Sequence, residues 1–433
     1  MRKFERRRHV RYFAAYLRNL PRQYSSADTT RLSLVHFCLQ ALDILGCLPG
    51  DGPETCGEVG SGDVYIDRGP IVEWIYSLQT LPVRSVDEAS ERIRGGGFKG
   101  GTYLGPIDDG DGGNGASHPR HPYDHSHLAM TYVAICSLRA LGDDLSRVDA
   151  EAVLGTIRSL QREDGSFDAV SATADGGSDL EEGEARDLRF MYTAIATWYL
   201  LTRAGCSGGP ATKEIDAEGD DRTIRTINIE AATEYIISCM AYDGSLALTP
   251  HGREGHGGST LCGVASLRLM GVLDEVAHRL DGWKCDLVYW CVSRQYPLPS
   301  DRRDRGGEGK SAFEYDGYAG AGMQGRPNKL EDTCYSYWIG GTLHLLGESR
   351  LLNGQALREY VLSCQSPYGG FGKTVGAMPD LLHSYYSLAW LSLSNEGGCC
   401  DDELHAPGED DAETIESIGR LRELDCALGI AKR

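Results

Sequence analysis

A helix-pair unit recurs along this chain, and no other feature limits its fold as much. Five segments each carry an apolar stretch ending in Ser-x-Gln or Ser-x-Met, then a glycine turn, then a second apolar stretch. The first stretches end at Ser77-Leu-Gln79, Ser159-Leu-Gln161, Ser238-Cys-Met240, Ser293-Arg-Gln295 and Ser363-Cys-Gln365. The turns are Gly95-Gly-Gly-Phe98, Asp164-Gly-Ser-Phe167, Asp243-Gly-Ser-Leu246, Gly322-Met-Gln-Gly325 and Gly369-Gly-Phe371. The second stretches open at His127, Asp187, His256, Asp332 and Asp380, at intervals of 60, 69, 76 and 48 residues. The repeats run roughly over 70–142, 150–202, 230–271, 284–347 and 355–395. Their lengths differ through polar insertions at 107–121, 203–222 and 299–320, which lack periodicity.

Such a pair cannot bury its apolar faces alone, so copies must stack. Second stretches such as Val133-Ala-Ile-Cys-Ser-Leu138 and Ile195-Ala-Thr-Trp-Tyr-Leu200 are nearly apolar on all sides, which requires burial on two faces. First stretches such as Glu151-Ala-Val-Leu-Gly-Thr-Ile-Arg-Ser-Leu160 are amphipathic. Buried helices inside and amphipathic helices outside satisfy both patterns. The expected fold is all-α, an α/α toroid of about six helical hairpins, in a single domain over 1–433 with 396–433 as a C-terminal extension. An open solenoid satisfies the same layering. Closure is favoured because Tyr132, Tyr192, Tyr335, Tyr337, Tyr385 and Tyr386 recur near the inner helix starts and would line a central funnel.

Glycine supplies 55 of 433 residues, and the many turns account for the excess. A net charge of −20 argues against nucleic acid as a partner. No apolar run approaches the roughly 18 residues of a transmembrane helix, and Met1-Arg-Lys-Phe-Glu-Arg-Arg-Arg-His9 lacks the apolar stretch of a secretory signal. The 14 cysteines are dispersed and read as reduced, mostly buried thiols of a cytoplasmic protein. Cys399-Cys400 reads as part of an exposed loop, and Arg6-Arg7-Arg8 with Arg11 as a solvated helix start.

The densest chemistry lies in Gly325-Arg-Pro-Asn-Lys-Leu-Glu-Asp-Thr-Cys-Tyr335. Arg326 and Lys329 with the phenol of Tyr335 suit a phosphorylated anion, while Asp332 and Cys334 suit Zn²⁺. Joining a thiol to a diphosphate-activated carbon needs both. Asp332, Cys334 and His383 form an O, S, N set at inner helix starts, and three protein ligands leave a fourth position open, as in catalytic zinc sites. Residues i and i+2 do not share a helix face, so one ligand must sit on the non-helical lead-in. Taken singly, a packed thiol accounts for Cys334 and a polar helix start for His383. His256-Gly-Gly-Ser-Thr260 opens a helix whose free N–H groups favour an anion, and with Arg326, Lys329 and Tyr335 it could stabilise a departing pyrophosphate. A helix-start turn and solvated cations are the plainer account of the same residues. His127 and Arg189 open two other inner helices and could bind a carboxylate; capped helix starts explain them equally well.

These residues resemble the β subunit of protein prenyltransferases, most of all type I geranylgeranyltransferases. The resemblance rests on His9-Val-Arg-Tyr-Phe13, Arg22-Gln-Tyr-Ser-Ser26, Trp74-Ile-Tyr-Ser-Leu-Gln79, His127-Leu-Ala-Met-Thr-Tyr132, Leu141-Gly-Asp-Asp-Leu-Ser-Arg147, Glu163-Asp-Gly-Ser-Phe167, His256-Gly-Gly-Ser-Thr260, Gly325-Arg-Pro-Asn-Lys329 and Asp332-Thr-Cys-Tyr335, across roughly residues 9–395. It implies a heterodimer with a prenyltransferase α subunit. It implies zinc on Asp332, Cys334 and His383, and diphosphate contacts from His256, Arg326, Lys329 and Tyr335. It implies that His127 and Arg189 help hold the C-terminal carboxylate of the peptide; Glu184 is the nearest glutamate to complete that group, one position off the family spacing. Lys373 stands where farnesyltransferases carry a Mg²⁺-binding aspartate, so Mg²⁺ is not expected to be required. Ser33 stands where they carry a bulky tryptophan, leaving room for a longer isoprenoid. Thr29, Phe37 and Leu382 match positions that contact the aliphatic residues of a Cys-a-a-X peptide. The implied reaction transfers geranylgeranyl from its diphosphate to the cysteine of C-terminal Cys-a-a-X sequences, typically with Leu at X, through a zinc-bound thiolate. Small GTPases of the Rho, Rac and Rap type are the implied acceptors. A farnesyltransferase β subunit is the nearest alternative, and a non-catalytic helical-repeat scaffold the alternative from another class. A triterpene cyclase needs an Asp-x-Asp-Asp acid that this chain lacks.

Overall fold

Every glycine turn of the repeat is closed by the same backbone pairing. Strand β1 (Gln79–Thr80) pairs with β4 (Gly97–Phe98), setting Gln79 opposite Phe98. Single bridges pair Gln161 with Phe167, Met240 with Leu246, Gln295 with Met323 and Gln365 with Phe371. The Ser-x-Gln or Ser-x-Met signature thus marks where a helix hands over to a short antiparallel closure. Gly165 and Gly244 have φ of +88° and +84°, a region L side chains rarely adopt. A Cβ on Gly165 would lie 2.0 Å from the Ala231 carbonyl oxygen, so the next helix packs directly on the turn.

The computed structural model describes residues 2–48, 66–80, 83–87, 90–102, 125–170, 186–203, 227–251, 254–296, 321–396 and 421–432. Glu184, Cys399-Cys400 and nearly all of the three insertions lie outside them. Contacts divide the chain into two compact units, one of Leu20–His36 with Asp67–Ile237, the other of Met1–Asn19, Phe37–Ile66 and Ser238–Arg433.

The first unit holds α3 (Arg68–Ser77), α4 (Leu128–Ala140), α5 (Ala150–Leu160), α6 (Leu188–Arg203) and most of α7 (Ile229–Ser238). A separate hairpin pairs β2 (Val83–Asp87) with β3 (Ser90–Arg94). Helix α4 packs against α6 and is buried along almost its whole length. Helix α5 behaves as its pattern predicts: Val153, Leu154, Ile157 and Leu160 are buried, while Glu151, Arg158 and Ser159 are exposed.

In the second unit α8 (Gly257–Met270), α11 (Cys334–Leu345) and α13 (Leu381–Glu396) are the inner helices, with α11 packed on both others. Around them lie α9 (Leu273–Arg279), α10 (Trp283–Val292) and α12 (Gly354–Ser363). Helix α1 (Arg6–Arg18) joins this unit, and α2 (Arg31–Ile44) runs across the boundary. Strand β5 (Phe371–Gly372) pairs with β6 (Pro379–Asp380), which leads into α13.

Two expectations change here. Arg6 is buried, and its guanidinium donates to the Leu45 carbonyl, so the N-terminal basic cluster is not wholly solvated. The second concerns Tyr337 and Tyr385, expected to line a funnel, which meet the end of the chain, where β7 (Leu424–Asp425) pairs with β8 (Ile430–Ala431) and Leu424, Cys426, Leu428 and Ile430 are buried. Tyr337 Oη donates to the Cys426 carbonyl at 3.1 Å, and Tyr385 Oη donates to that of Gly429. Both phenols are 2% exposed. They anchor the C-terminal hairpin rather than face an open funnel. Among the described residues, no helix is long and apolar enough to cross a membrane.

Candidate functional site

One rule positions the side chains singled out by spacing: each inner helix starts with a side chain that accepts one of its own orphan N–H groups. His127 Nδ1 accepts from Ala129 at 3.1 Å, Asp187 Oδ1 from Arg189 at 2.8 Å and His256 Nδ1 from Gly258 at 3.1 Å. Asp332 Oδ1 accepts from Cys334 and Asp380 Oδ1 from His383, both at 2.9 Å. Capping therefore accounts for the polar residue type at all five positions.

Two of those helix starts, at Asp332 and Asp380, also build a cluster. One donor atom each of Asp332, Cys334 and His383 lies within 4.8 Å of the others, so one ion can meet all three after small adjustments. Asp332 sits on the lead-in, as the i, i+2 spacing requires, and Cys334 is the first residue of α11. His383 Nε2 is 3.3 Å from Asp332 Oδ1, and His383 Nδ1 is 2.6 Å from Asp380 Oδ2. The Asp380 carboxylate takes the Nδ1 proton, which aims the Nε2 lone pair at the cluster. Burial works to raise the Asp332 carboxyl, but hydrogen bonds from His383 and Cys334 leave it below its ordinary value. Burial works to lower His383, yet Asp332 and Asp380 hold it up to about 9. Burial first, then Asp332, pushes the Cys334 thiol up. Without a cation, protons on His383 and Cys334 balance the site. A divalent ion could take their place, and an O, S, N donor set matches Zn²⁺.

A second group adjoins it. Tyr335 Oη lies 2.9 Å from His256 Nε2, and Arg326 Nη1 donates to Glu254 Oε2 at 2.9 Å. Burial pushes the Tyr335 phenol above its ordinary range, so it remains a proton donor. Its ring fits between two glycines: a Cβ on Gly325 would lie 2.1 Å from the ring, and one on Gly257 3.1 Å. Lys373 Nζ is 3.6 Å from Asp332 Oδ2. Lys329 is exposed at the turn after Arg326. Five side chains proposed for the diphosphate thus fall in one unit with the three proposed for zinc, but only His256, Tyr335, Arg326 and Lys373 are held in place by side-chain bonds.

Both side chains of the pair proposed for the peptide carboxylate are engaged with neighbours. Burial lowers His127, which keeps its imidazole neutral. The Arg189 fork closes on Asp187, with Nε to Oδ1 at 3.1 Å and Nη2 to Oδ2 at 2.6 Å. Phe190 lies against both, edge-on to His127 with ring centroids 5.6 Å apart and with its ring 5.7 Å from the Arg189 guanidinium carbon. Ser33 Oγ contacts Met130 Sδ at 3.7 Å, and Thr29 is exposed. In the other unit, Phe37 lies 5.6 Å from Tyr385 between ring centroids, and Leu382 is 38% exposed. Sequence reasoning missed Glu254, the hold of Asp187 on Arg189, and the hold of Asp380 on His383. The last was visible as an Asp-x-x-His spacing at a helix start.

A family model described as "Prenyltransferase alpha-alpha toroid domain" matches residues 4–430. The chain belongs to the prenyltransferase α/α-toroid family. It is 34% identical to the Arabidopsis thaliana geranylgeranyl transferase type-1 subunit beta, over 91% of this chain and 86% of that protein. It is 31% identical to the Dictyostelium discoideum subunit of the same name, over 89% and 90%. Kinship of that extent places it on the type-1 branch, as a prenyltransferase β subunit. A solved structure, Candida albicans protein geranylgeranyltransferase-I complexed with GGPP, shares the fold with a TM-score of 0.69 at 22% identity, covering 99% of this chain and 96% of that one.

Proposed function

We propose that this chain, with an α subunit, transfers geranylgeranyl from its diphosphate to the cysteine of C-terminal Cys-a-a-X proteins such as Rho-, Rac- and Rap-type GTPases. One observation carries the reading: donor atoms of Asp332, Cys334 and His383 converge within 4.8 Å, with the Lys373 ammonium 3.6 Å from Asp332 Oδ2. Zn²⁺ held by these three residues would supply a Lewis acid that stabilises the acceptor sulfur as a thiolate.

The chain's own groups act on the other reactant. His256 donates from Nε2 to the Tyr335 oxygen, which leaves the phenol proton for a phosphate oxygen. Arg326, Lys329 and Lys373 supply positive charge where pyrophosphate charge develops. As the bond between the isoprenoid carbon and diphosphate oxygen breaks, its electron pair leaves with pyrophosphate, and the sulfur forms the new C–S bond. A fixed ammonium at Lys373 makes Mg²⁺ unnecessary. Burial of the isoprenoid chain, at about 0.8 kcal/mol per CH₂, supplies most of the donor affinity. His127 and Arg189 hold the peptide carboxylate, and Thr29, Phe37 and Leu382 contact its aliphatic residues.

Co-expression with an α subunit, followed by transfer assays with geranylgeranyl and farnesyl diphosphate in competition, tests the reading. Geranylgeranylation of a Cys-a-a-Leu peptide is expected, with stoichiometric zinc. A preference for farnesyl would overturn the choice of donor, and transfer by metal-free protein would overturn the role of zinc.

A further inference from the structure

We propose that Glu254 is a positioning residue of the leaving-group site, which orients Arg326 and keeps pyrophosphate from being held too tightly to depart. The inference rests on the diphosphate reading above and deepens it.

Arg326 Nη1 donates to Glu254 Oε2 at 2.9 Å. Two further bonds join the same segments: Gly257 N–H donates to the Gly325 carbonyl at 2.9 Å, and His256 Nε2 meets Tyr335 Oη at 2.9 Å. Residues 254, 256 and 257 on the approach to and first turn of α8 therefore meet 326, 335 and 325 on the approach to and first turn of α11. The acid–base pair is one rung of a lacing that sets the anion donors relative to each other.

Its contribution to folding is small. The side chains are 41% and 50% exposed, and ion pairs at that exposure add little stability. Its effect on the arginine is larger. A guanidinium presents five N–H donors in a plane, so a bond at Nη1 sets that plane and leaves the opposite edge for a phosphate oxygen. The carboxylate also offsets part of the attraction between Arg326 and the polyanionic product. Without it, Arg326 binds pyrophosphate more strongly but points less well during bond cleavage.

The test compares the complex with its α subunit as wild type, Glu254→Gln and Glu254→Asp. Steady-state transfer, inhibition by inorganic pyrophosphate and thermal midpoint are read for each. Glu254→Gln is expected to lower kcat about tenfold, with KM for the donor unchanged or lower, and to strengthen pyrophosphate inhibition about fivefold. Glu254→Asp is expected to restore near wild-type pyrophosphate sensitivity, and both midpoints to stay at the wild-type value. Unchanged kcat and inhibition in Glu254→Gln overturn the inference, as does weakened inhibition or a midpoint lowered in both variants. A wild-type complex that pyrophosphate does not inhibit overturns the diphosphate reading itself, and that result needs no variant.

Discussion

His256 and Tyr335 share a hydrogen bond of 2.9 Å whose direction is set from the far side of the imidazole. Nδ1 of His256 accepts the Gly258 N–H, so Nδ1 carries the lone pair and Nε2 the proton. The imidazole donates to the phenol oxygen, and the phenol keeps its own proton for another acceptor. Helix capping thereby sets a tautomer useful to the anion site.

Tyr335→Phe removes that donor and leaves the ring. Loss of one preorganised donor costs roughly 10²–10³-fold in rate at a buried oxyanion site. The half-buried position of Tyr335 puts the expected loss in kcat at about 10- to 100-fold, with little change in KM for the acceptor. Gly325→Ala is expected to be at least as damaging, because its Cβ would overlap the Tyr335 ring. Zinc content should stay at the wild-type level in both. Single-turnover transfer and metal analysis on the same preparation check this.

Asp380 predicts a different failure. Its carboxylate holds the His383 Nδ1 proton at 2.6 Å, so Asp380→Asn weakens the aim of Nε2 without removing a ligand. Zinc affinity is expected to fall about 10- to 100-fold, read by competition with a chromophoric chelator. Cys334→Ala and Asp332→Ala should lose stoichiometric zinc outright. Full zinc in Cys334→Ala would place the metal elsewhere.

The inner helix starts were legible because capping demands a polar side chain at each: His127, Asp187, His256, Asp332 and Asp380 all accept a local N–H. The cluster that could hold a metal was legible because two of those starts also carry a thiol and an imidazole. The C-terminal hairpin was not, since twelve residues (421–432) hold no period and their burial depends on Tyr337 and Tyr385 far away in sequence. Arg6 was misjudged for a related reason: the carbonyl that accepts from it belongs to Leu45, on another helix's end. Glu254 left no signal, because a carboxylate in a turn is usually solvated.

Lys373 carries a prediction about metal dependence. Its ammonium lies 3.6 Å from Asp332 Oδ2 and is 62% exposed, so it can reach both the metal carboxylate and an anion above it. Lys373→Asp replaces that charge with a carboxylate. The variant is expected to lose activity without Mg²⁺ and to recover part of it with millimolar Mg²⁺, while the wild type stays flat. Titration of Mg²⁺ at saturating donor decides, and a flat response from the variant would remove Lys373 from the pyrophosphate site.

Ser33 meets Met130 through a 3.7 Å contact, and Met130 is 7% exposed. An indole at position 33 has to displace Met130 and fill the space beside it. Ser33→Trp is therefore expected to shift donor choice toward the shorter isoprenoid. A single methylene in an apolar pocket is worth about 10-fold or more, so the ratio of farnesyl to geranylgeranyl transfer should rise by at least about tenfold. An unchanged ratio would take Ser33 out of the length-setting wall.

Stability should depend on pH through His9. Its ring is fully buried between Phe4 and Phe371, with centroids at 5.1 and 4.5 Å. Nδ1 accepts the Gly370 N–H at 3.0 Å, so Nε2 carries the proton and donates to Gln365 Oε1 at 3.0 Å. Burial lowers its pKa to about 4, the Gln365 bond opposes that, and the Arg8 charge adds to it. The unfolded chain takes up this proton near 6.5, the folded chain only near 4. Between those values the unfolded state binds more protons, so stability is full above 6.5 and falls as pH drops toward 4. At about 1.4 kcal/mol per unit, the loss from this residue at pH 5 is about 2 kcal/mol. His36, lowered to about 3 by burial, adds to the same slope. His9→Phe keeps the stack but orphans the Gly370 N–H. It should be less stable than wild type at pH 7 and lose less between pH 7 and pH 5. Urea unfolding of the complex at both pH values measures the difference, and equal slopes for the two proteins would show that the buried imidazole does not set the acid limit.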